Sequence, residues 1–370
     1  MLGKLRFNSM TGPGLATRSR AERDAADARR FGKLESMKPP TLRVGAVQMV
    51  SENGALEANL GRAMRLVHEA AGLGARLILL PELFSHGYWL CEKAWTLAEP
   101  RGGETESWLC ETAASLGLYL GGSYLQARDE HFYNVFALAD PAGQICGRVP
   151  KQKPGSVEAY LFRGEESSHI IETELGRIGV GICYDNVFRF LPEALIAGCA
   201  DIALMPFSAP TPQQTWYYRR KDAEAFRASY RHGASNYARL LGIPAVQVNK
   251  CGAWKSELPA CFPAQDSKFD GQSEIADGGG ETLGELADQE AAIVAEVRLD
   301  PVRKSRSLSE EARRHGRWIA PVPTEFKLYW IIEALGRRSY DRNPRRGEMA
   351  KARARAGHAG SPQPSVDWSG

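Results

Sequence analysis

An α/β fold is predicted for this 370-residue chain by three features: short apolar and β-branched runs, longer stretches with helical spacing, and Gly- or Pro-bearing turns between them. Residues 44–49 read as the first strand. Residues 56–71 come next as a helix, with Leu60, Met64, Val67 and Ala71 on one face. Residues 77–80 are wholly apolar and form the next strand. Residues 104–116 are helical, 118–124 and 135–139 are strands, and Gly143 turns the chain into another at 145–149. Two short strands, 169–172 and 178–182, flank a turn at Gly176. A helix over 191–197, a strand over 202–205, one long helical stretch over 216–240 and a strand over 245–249 continue the alternation. Late strands are expected over 271–275 and 293–297, and a strand and helix over 318–335.

Composition narrows the function classes. A hydrophobic fraction of 43% and a charged fraction of 25% are those of an ordinary globular protein with a sizeable core. The formal net charge is only +3, but residues 337–370 hold a cluster of arginines with Lys351 in a Gly-, Ala-, Ser- and Pro-rich setting, read as a basic disordered tail. Nucleic-acid binding is accordingly not expected. No apolar run reaches the roughly 18–20 residues of a membrane span. The seven cysteines show no paired or metal-type spacing and the seven histidines are dispersed, so reduced thiols, a cytoplasmic location and no metal or other cofactor are expected. Residues 1–40 read as a disordered basic extension, with Met37 an alternative start and an organellar leader the lesser possibility.

Chemistry concentrates at three places. Cys183 ends the β-branched run Gly179-Val180-Gly181-Ile182, where a strand gives way to a helical turn whose amides can stabilise negative charge. Glu82 stands after the apolar strand 77–80 and Pro81. Lys151, with Lys153 as a rival, lies in a loop seven residues before Glu158. A thiol, two carboxylates and an ammonium supply the nucleophile, proton shuttle and oxyanion partner that covalent amide hydrolysis needs.

Those segments, in this order, resemble the nitrilase superfamily, the carbon–nitrogen hydrolases with a Glu-Lys-Cys centre. The resemblance runs from about Leu42 to Leu299. It is carried by Arg43-Val44-Gly45-Ala46-Val47-Gln48-Met49, Leu80-Pro81-Glu82-Leu83-Phe84, Lys151 with Glu158, Gly179 to Asp185, residues 198–206, and Ile243 to Asn249. Two departures stand out. Val187-Phe188 occupies the place where many members carry Arg-Phe, and Arg189-Phe190 comes two positions late. Tyr184-Asp185 replaces the Trp-Glu typical of true nitrilases and is closer to the amidase-like branches.

The resemblance implies a four-layer α-β-β-α sandwich over residues 41–300, with residues 301–336 an extension packing on the domain or a partner. It implies a homodimer or larger homo-oligomer. Cys183 is then the nucleophile and Glu82 the proton carrier. Lys151 and the Tyr184 backbone N–H become the oxyanion donors, and Glu158 the carboxylate that holds the lysine. Lys151 is preferred over Lys153 because its spacing to Pro154 and Glu158 matches the family pattern. Tyr88, Tyr133, Phe188 and Phe207 are expected to line or border the pocket. Asp185 and Asn186 either polarise the nucleophile turn or cap the helix after it. The substrate class implied is a small amide or N-carbamoyl compound. The alternatives are a nitrilase and a non-catalytic binding module that keeps the sandwich.

Overall fold

Two six-stranded sheets organise the chain in the computed structural model, which describes residues 39–211 and 219–356. The first contains β1 (Thr41–Gln48), β2 (Leu77–Leu79), β3 (Tyr119–Arg128), β4 (His131–Ala139), β5 (Ile145–Pro150) and the late strand β15 (Ala291–Arg298). Its order is β15-β1-β2-β3-β4-β5. The parallel pairs β1–β2 and β2–β3 need crossovers, which helices α1 (Leu56–Gly72) and α2 (Glu104–Leu116) supply. The β3–β4 pair is a tight hairpin in which Arg128 faces His131, and Asp129 takes the positive φ of 55° that such a turn requires.

The second sheet contains β6 (Ile170–Thr173), β7 (Gly176–Val180), β8 (Ile202–Pro206), β10 (Ala245–Val248), β13 (Glu274–Ala276) and β14 (Thr282–Glu285), in the order β14-β13-β10-β8-β7-β6. Helix α3 (Phe190–Ala197) connects β7 to β8. Helices α4 (Arg220–Tyr230) and α5 (Gly233–Leu241) lie between β8 and β10. A small third sheet joins β9 (Pro210–Thr211), β11 (Cys251–Ser256) and β12 (Gln265–Asp270).

Period-two alternation decides which side chain enters which layer. In β1, Val44 and Ala46 enter the core between the sheets, whereas Val47 faces α1 and α2; in β2, Leu77 and Leu79 do the former and Ile78 the latter. Ile178, Val180, Ile202, Leu204, Val246 and Val248 of the second sheet complete the central core. Its other face packs Ala203, Met205 and Ala245 against Leu191, Leu195, Tyr237 and Leu241 of α3 and α5. The expected α-β-β-α sandwich is the one found.

The differences are local. The helix expected over 216–240 is two helices, broken at His232 with φ 55°; residues 216–218 lie outside the described part. Strands β11 and β12 were not foreseen because their charged and polar residues leave no clean alternation. Residues 337–342 and 344–356, expected in a disordered tail, are helical. Helix α7 (Thr324–Arg342), which comes after the short α6 (Glu310–Arg313), is succeeded by α8 (Pro344–Ala356). Tertiary anchors hold them. Tyr340 is buried and its hydroxyl accepts the Phe132 N–H at 2.9 Å, while Arg353 donates to the Ala98 carbonyl at 2.7 Å. The expected extension 1–40 and the rest of the tail, 357–370, fall outside the described residues, apart from Pro39 and Pro40.

Candidate active site

Glu82, Lys151 and Glu158 converge although they lie on three different connections. Glu82 comes after β2, in the turn that Leu83 continues with φ 47°. Lys151 comes directly after β5, and Glu158 lies in the short 3₁₀ turn Ser156–Tyr160. The Lys151 ammonium donates to Glu82 Oε1 at 2.7 Å and to Glu158 Oε1 at 2.9 Å, and all three groups are buried. Three charges this deep need mutual pairing and further hydrogen bonds. Asn134 Nδ2 donates to Glu82 Oε1 at 2.7 Å and the Ser208 N–H donates to Oε2 at 2.8 Å. The Tyr88 hydroxyl and the Gly155 N–H serve Glu158 at 2.8 and 2.6 Å. Burial alone would strip the Lys151 proton, but the two carboxylates outweigh it and hold its pKa well above the ordinary lysine value.

Cys183 opens a 3₁₀ turn, Cys183–Val187, directly beyond β7 and the extended residues Gly181 and Ile182. Its backbone has φ 47°, a left-handed conformation costing a non-glycine residue about 1–3 kcal/mol. Gly181 makes the turn possible from beneath. A Cβ there would stand 2.2 Å from Leu191 Cδ2 and 2.5 Å from Asn186 Oδ1. Asn186 Nδ2 ties the turn together by donating to the Gly181 carbonyl at 2.7 Å and the Cys183 carbonyl at 3.0 Å. Burial, then the Glu82 charge, push the thiol pKa well above its usual value, with Lys151 opposing. Both effects favour the protonated thiol over the thiolate at rest.

Asp185 does more than sit beside the cysteine turn. Its carboxylate accepts the Gln152 N–H at 3.0 Å and the Lys153 N–H at 2.7 Å, clamping the lysine loop to the cysteine turn. Burial raises its pKa to about 7, against these two amides and Lys151. Lys153 itself stands outside the buried cluster, with its ammonium 6.0 Å from the Phe190 ring.

A cavity of about 380 Å³ opens onto Cys183, Lys151 and Glu158. Tyr88, Tyr184 and Phe207 line it, as expected. Phe188 and Tyr133 do not. The Phe188 ring stacks on Trp318 at 4.7 Å, and Tyr133 packs under the Arg128 guanidinium at 4.2 Å. Tyr133 joins the core on the helix side of β4 because successive strand residues point to opposite faces, whereas Phe188 borders the cavity behind Tyr184, with ring centroids 4.9 Å apart. Three features were missed from sequence. Asn134 and Ser208 sit in ordinary strand and loop contexts. Lys250 is fully buried and donates to the Leu83 carbonyl at 3.0 Å. Burial lowers its pKa to about 7, with Glu82 opposing. A lysine two residues beyond the buried strand Ala245–Val248 was the available signal.

Comparison with known proteins gives a consistent picture. The family model described as carbon-nitrogen hydrolase matches residues 43–307. The N-carbamoylputrescine amidase of Arabidopsis thaliana is 28% identical over 262 residues, covering 68% of this chain and 85% of its own. The carbon-nitrogen hydrolase of Helicobacter pylori G27 superposes with a TM-score of 0.61 at 19% identity, covering 70% of this chain and 90% of that one. A mutant of the amidase from Nesterenkonia sp. AN1, whose active-site cysteine carries acrylamide added by Michael addition, superposes with a TM-score of 0.57 at 21% identity. It covers 74% of this chain and 98% of that one.

Proposed function

The chain belongs to the carbon–nitrogen hydrolase family, in the amidase-like branch of the nitrilase superfamily, and we propose that it hydrolyses a small non-peptide amide or N-carbamoyl compound through a Cys183 thioester. The observation that carries this reading is the Lys151 ammonium bridging two buried carboxylates beside a cavity that Lys151, Glu158 and Cys183 line together.

Each step rests on a property of these groups. Because the protonated thiol is favoured at rest, attack requires a base, and Glu82 is the carboxylate whose charge acts most strongly on the sulfur. As sulfur bonds to the carbonyl carbon, the thiol proton passes to Glu82 and the carbonyl π pair moves onto oxygen. Lys151 and the Tyr184 N–H stabilise that oxyanion, a contribution on the order of 3–4 kcal/mol per donor. Collapse expels the nitrogen as ammonia, which takes the proton from Glu82 and leaves a thioester. Glu82 then removes a proton from water, which attacks the thioester. The acid is released and the thiol regains its proton.

Glu158 serves this cycle indirectly. It keeps Lys151 charged and in place, and Tyr88 fixes Glu158 in turn. The Nesterenkonia adduct supports a cysteine as the reacting atom by analogy of fold.

Cys183→Ala decides the matter. The variant is expected to fold normally and to release no ammonia from amides, and the wild type mixed with substrate and quenched with acid is expected to carry an acyl mass on the Cys183 peptide. Near-normal amide hydrolysis by the variant removes the assignment. Turnover of matched nitriles but not amides assigns a nitrilase instead. Absence of both, with a slowly alkylated Cys183, leaves a binding module.

A further inference from the structure

One wall of the cavity comes from chain beyond residue 307, where the family match ends. After α6 the backbone returns to the cysteine turn. The Arg189 N–H donates to the Arg317 carbonyl at 2.8 Å and the Ile319 N–H to the Val187 carbonyl at 3.1 Å. Trp318 lies on Phe188, and α7 then crosses the Ser156–Tyr160 turn that holds Glu158. Gly336 permits that crossing, since a Cβ there would meet Tyr160 Cδ2 at 2.7 Å. From this segment Ile319, Pro321, Val322, Phe326, Tyr329 and Ile332 line the cavity.

Charge is missing from the rest of the lining. Among the described residues that line the cavity, Lys151 and Glu158 carry the ionic groups, and both are committed to the catalytic cluster. Residues 212–218, outside the described part, read Pro-Gln-Gln-Thr-Trp-Tyr-Tyr and contain no Asp, Glu, Lys, Arg or His. Glu333 on α7 is not among the lining residues; the Ser156 N–H and the Tyr184 hydroxyl donate to its carboxylate, Arg317 and Arg337 favour its charged form from further off, and its Oε1 has no hydrogen-bond partner among the described residues. What the lining offers besides hydrocarbon is neutral. The Tyr237 hydroxyl and Gln247 Oε1 are both buried, line the cavity and have no hydrogen-bond partner among the described residues. Unpaired buried polar atoms at a pocket wall mark where a ligand donor or acceptor belongs.

We infer that the C-terminal segment 317–340 sets specificity, and that the substrate is an amide or ureide whose non-reacting part is uncharged and mostly apolar, with a neutral hydrogen-bonding group facing Tyr237 and Gln247. This rests on the reaction proposed above. A carboxylate or ammonium on the substrate tail would enter the cavity without a counter-ion, at a desolvation cost large enough to decide selectivity.

The test uses the full chain, acetamide as a reference without a tail, and four probes: hexanamide and phenylacetamide (neutral), succinamic acid (anionic) and N-carbamoylputrescine (cationic). Ammonia release gives kcat/KM, and protection of Cys183 from iodoacetamide reports occupancy without turnover. Neutral probes are expected to exceed both charged ones by about a hundredfold in kcat/KM, and to protect the thiol where the charged ones do not. Ile332→Ala is expected to lower kcat/KM for hexanamide roughly tenfold while sparing acetamide, and Val322→Asp to shift preference toward the cationic probe. Equal or better use of a charged probe overturns the inference and leaves the reaction standing; if the cation wins, Glu333 is the group to examine. Protection by neutral probes without ammonia release sinks the reaction and leaves the pocket assignment intact. An Ile332→Ala variant that keeps wild-type rates on hexanamide removes α7 from specificity.

Discussion

Side chains with no motif of their own govern whether Glu82 can work. Asn134 spends its Nδ2 on Glu82 Oε1. A hydrogen bond to a buried charge is worth about 1.5–3 kcal/mol. Asn134→Ala is therefore expected to lower kcat by roughly ten- to a hundredfold with KM little changed, read from steady-state ammonia release. Lys250 makes a separate prediction. Its pKa falls from the ordinary lysine value to about 7, so protonation opposes folding. The stability this group allows is complete above pH 10.5, and it is lost as pH falls toward 7, where the unfolded chain takes up the proton and the native one does not. Lys250→Met loses the hydrogen bond to the Leu83 carbonyl but removes that proton linkage. Its thermal midpoint relative to wild type should rise as pH drops from 10 to 7 and level off below; a difference independent of pH would show that Lys250 is protonated in both states alike. Such residues were illegible in the sequence because burial, not identity, gives an asparagine or a lysine its role.

Backbone conformation is the information that elements carry to the site. Leu83, Ser156 and Cys183 all adopt left-handed φ values, of 47°, 51° and 47°, next to Glu82, near Glu158 and at the sulfur itself. Each is held there by its neighbours, as strain at working residues commonly is. The Cys183 elbow was legible, since a cysteine ending a β-branched strand after two glycines is an unusual arrangement. Elsewhere the pattern misled. Helical periodicity runs through 219–241, and His232 carries no breaker chemistry, yet it takes φ 55° and splits the helix. Relieving that conformation is the element-scale test. His232→Gly is expected to raise stability by about 1 kcal/mol, seen as a higher thermal midpoint with activity unchanged. A lower midpoint would mean that the approach of His232 Nδ1 to Glu274 Oε1, at 3.8 Å, matters more than the strain.

On the scale of the whole molecule, one helix has two different faces. Phe326, Tyr329 and Ile332 of α7 turn to the cavity, while Leu328, Trp330, Ile331 and Leu335 are exposed on it. An apolar group of this size on a surface helix marks an association site more often than a random exposure. Together with the expected homo-oligomer, it predicts that the wild type sediments as a dimer or larger at micromolar concentration. The double variant Trp330→Glu, Leu335→Glu should shift toward a smaller species. A wild type that sediments as a monomer would remove the oligomer. A variant that sediments like an oligomeric wild type would place the contact on another face, such as α3.

The sequence by itself determined the order of most strands and helices, much of the core and the four chemical groups proposed for the site. The elements depend on local spacing, period two and period 3.6; Glu82 and Cys183 stand just beyond apolar strands, and Lys151 and Glu158 were singled out by the resemblance to the carbon–nitrogen hydrolases. Tertiary structure alone decided that Phe188 and Tyr133 do not line the pocket, that Asn134, Asp185, Ser208 and Lys250 support it, and that residues 337–342 and 344–356 fold as helices against β3 and β4. The reason is contact order. These outcomes hinge on partners tens to hundreds of residues away, so the residue type is neutral until the sheets bring the partner within reach.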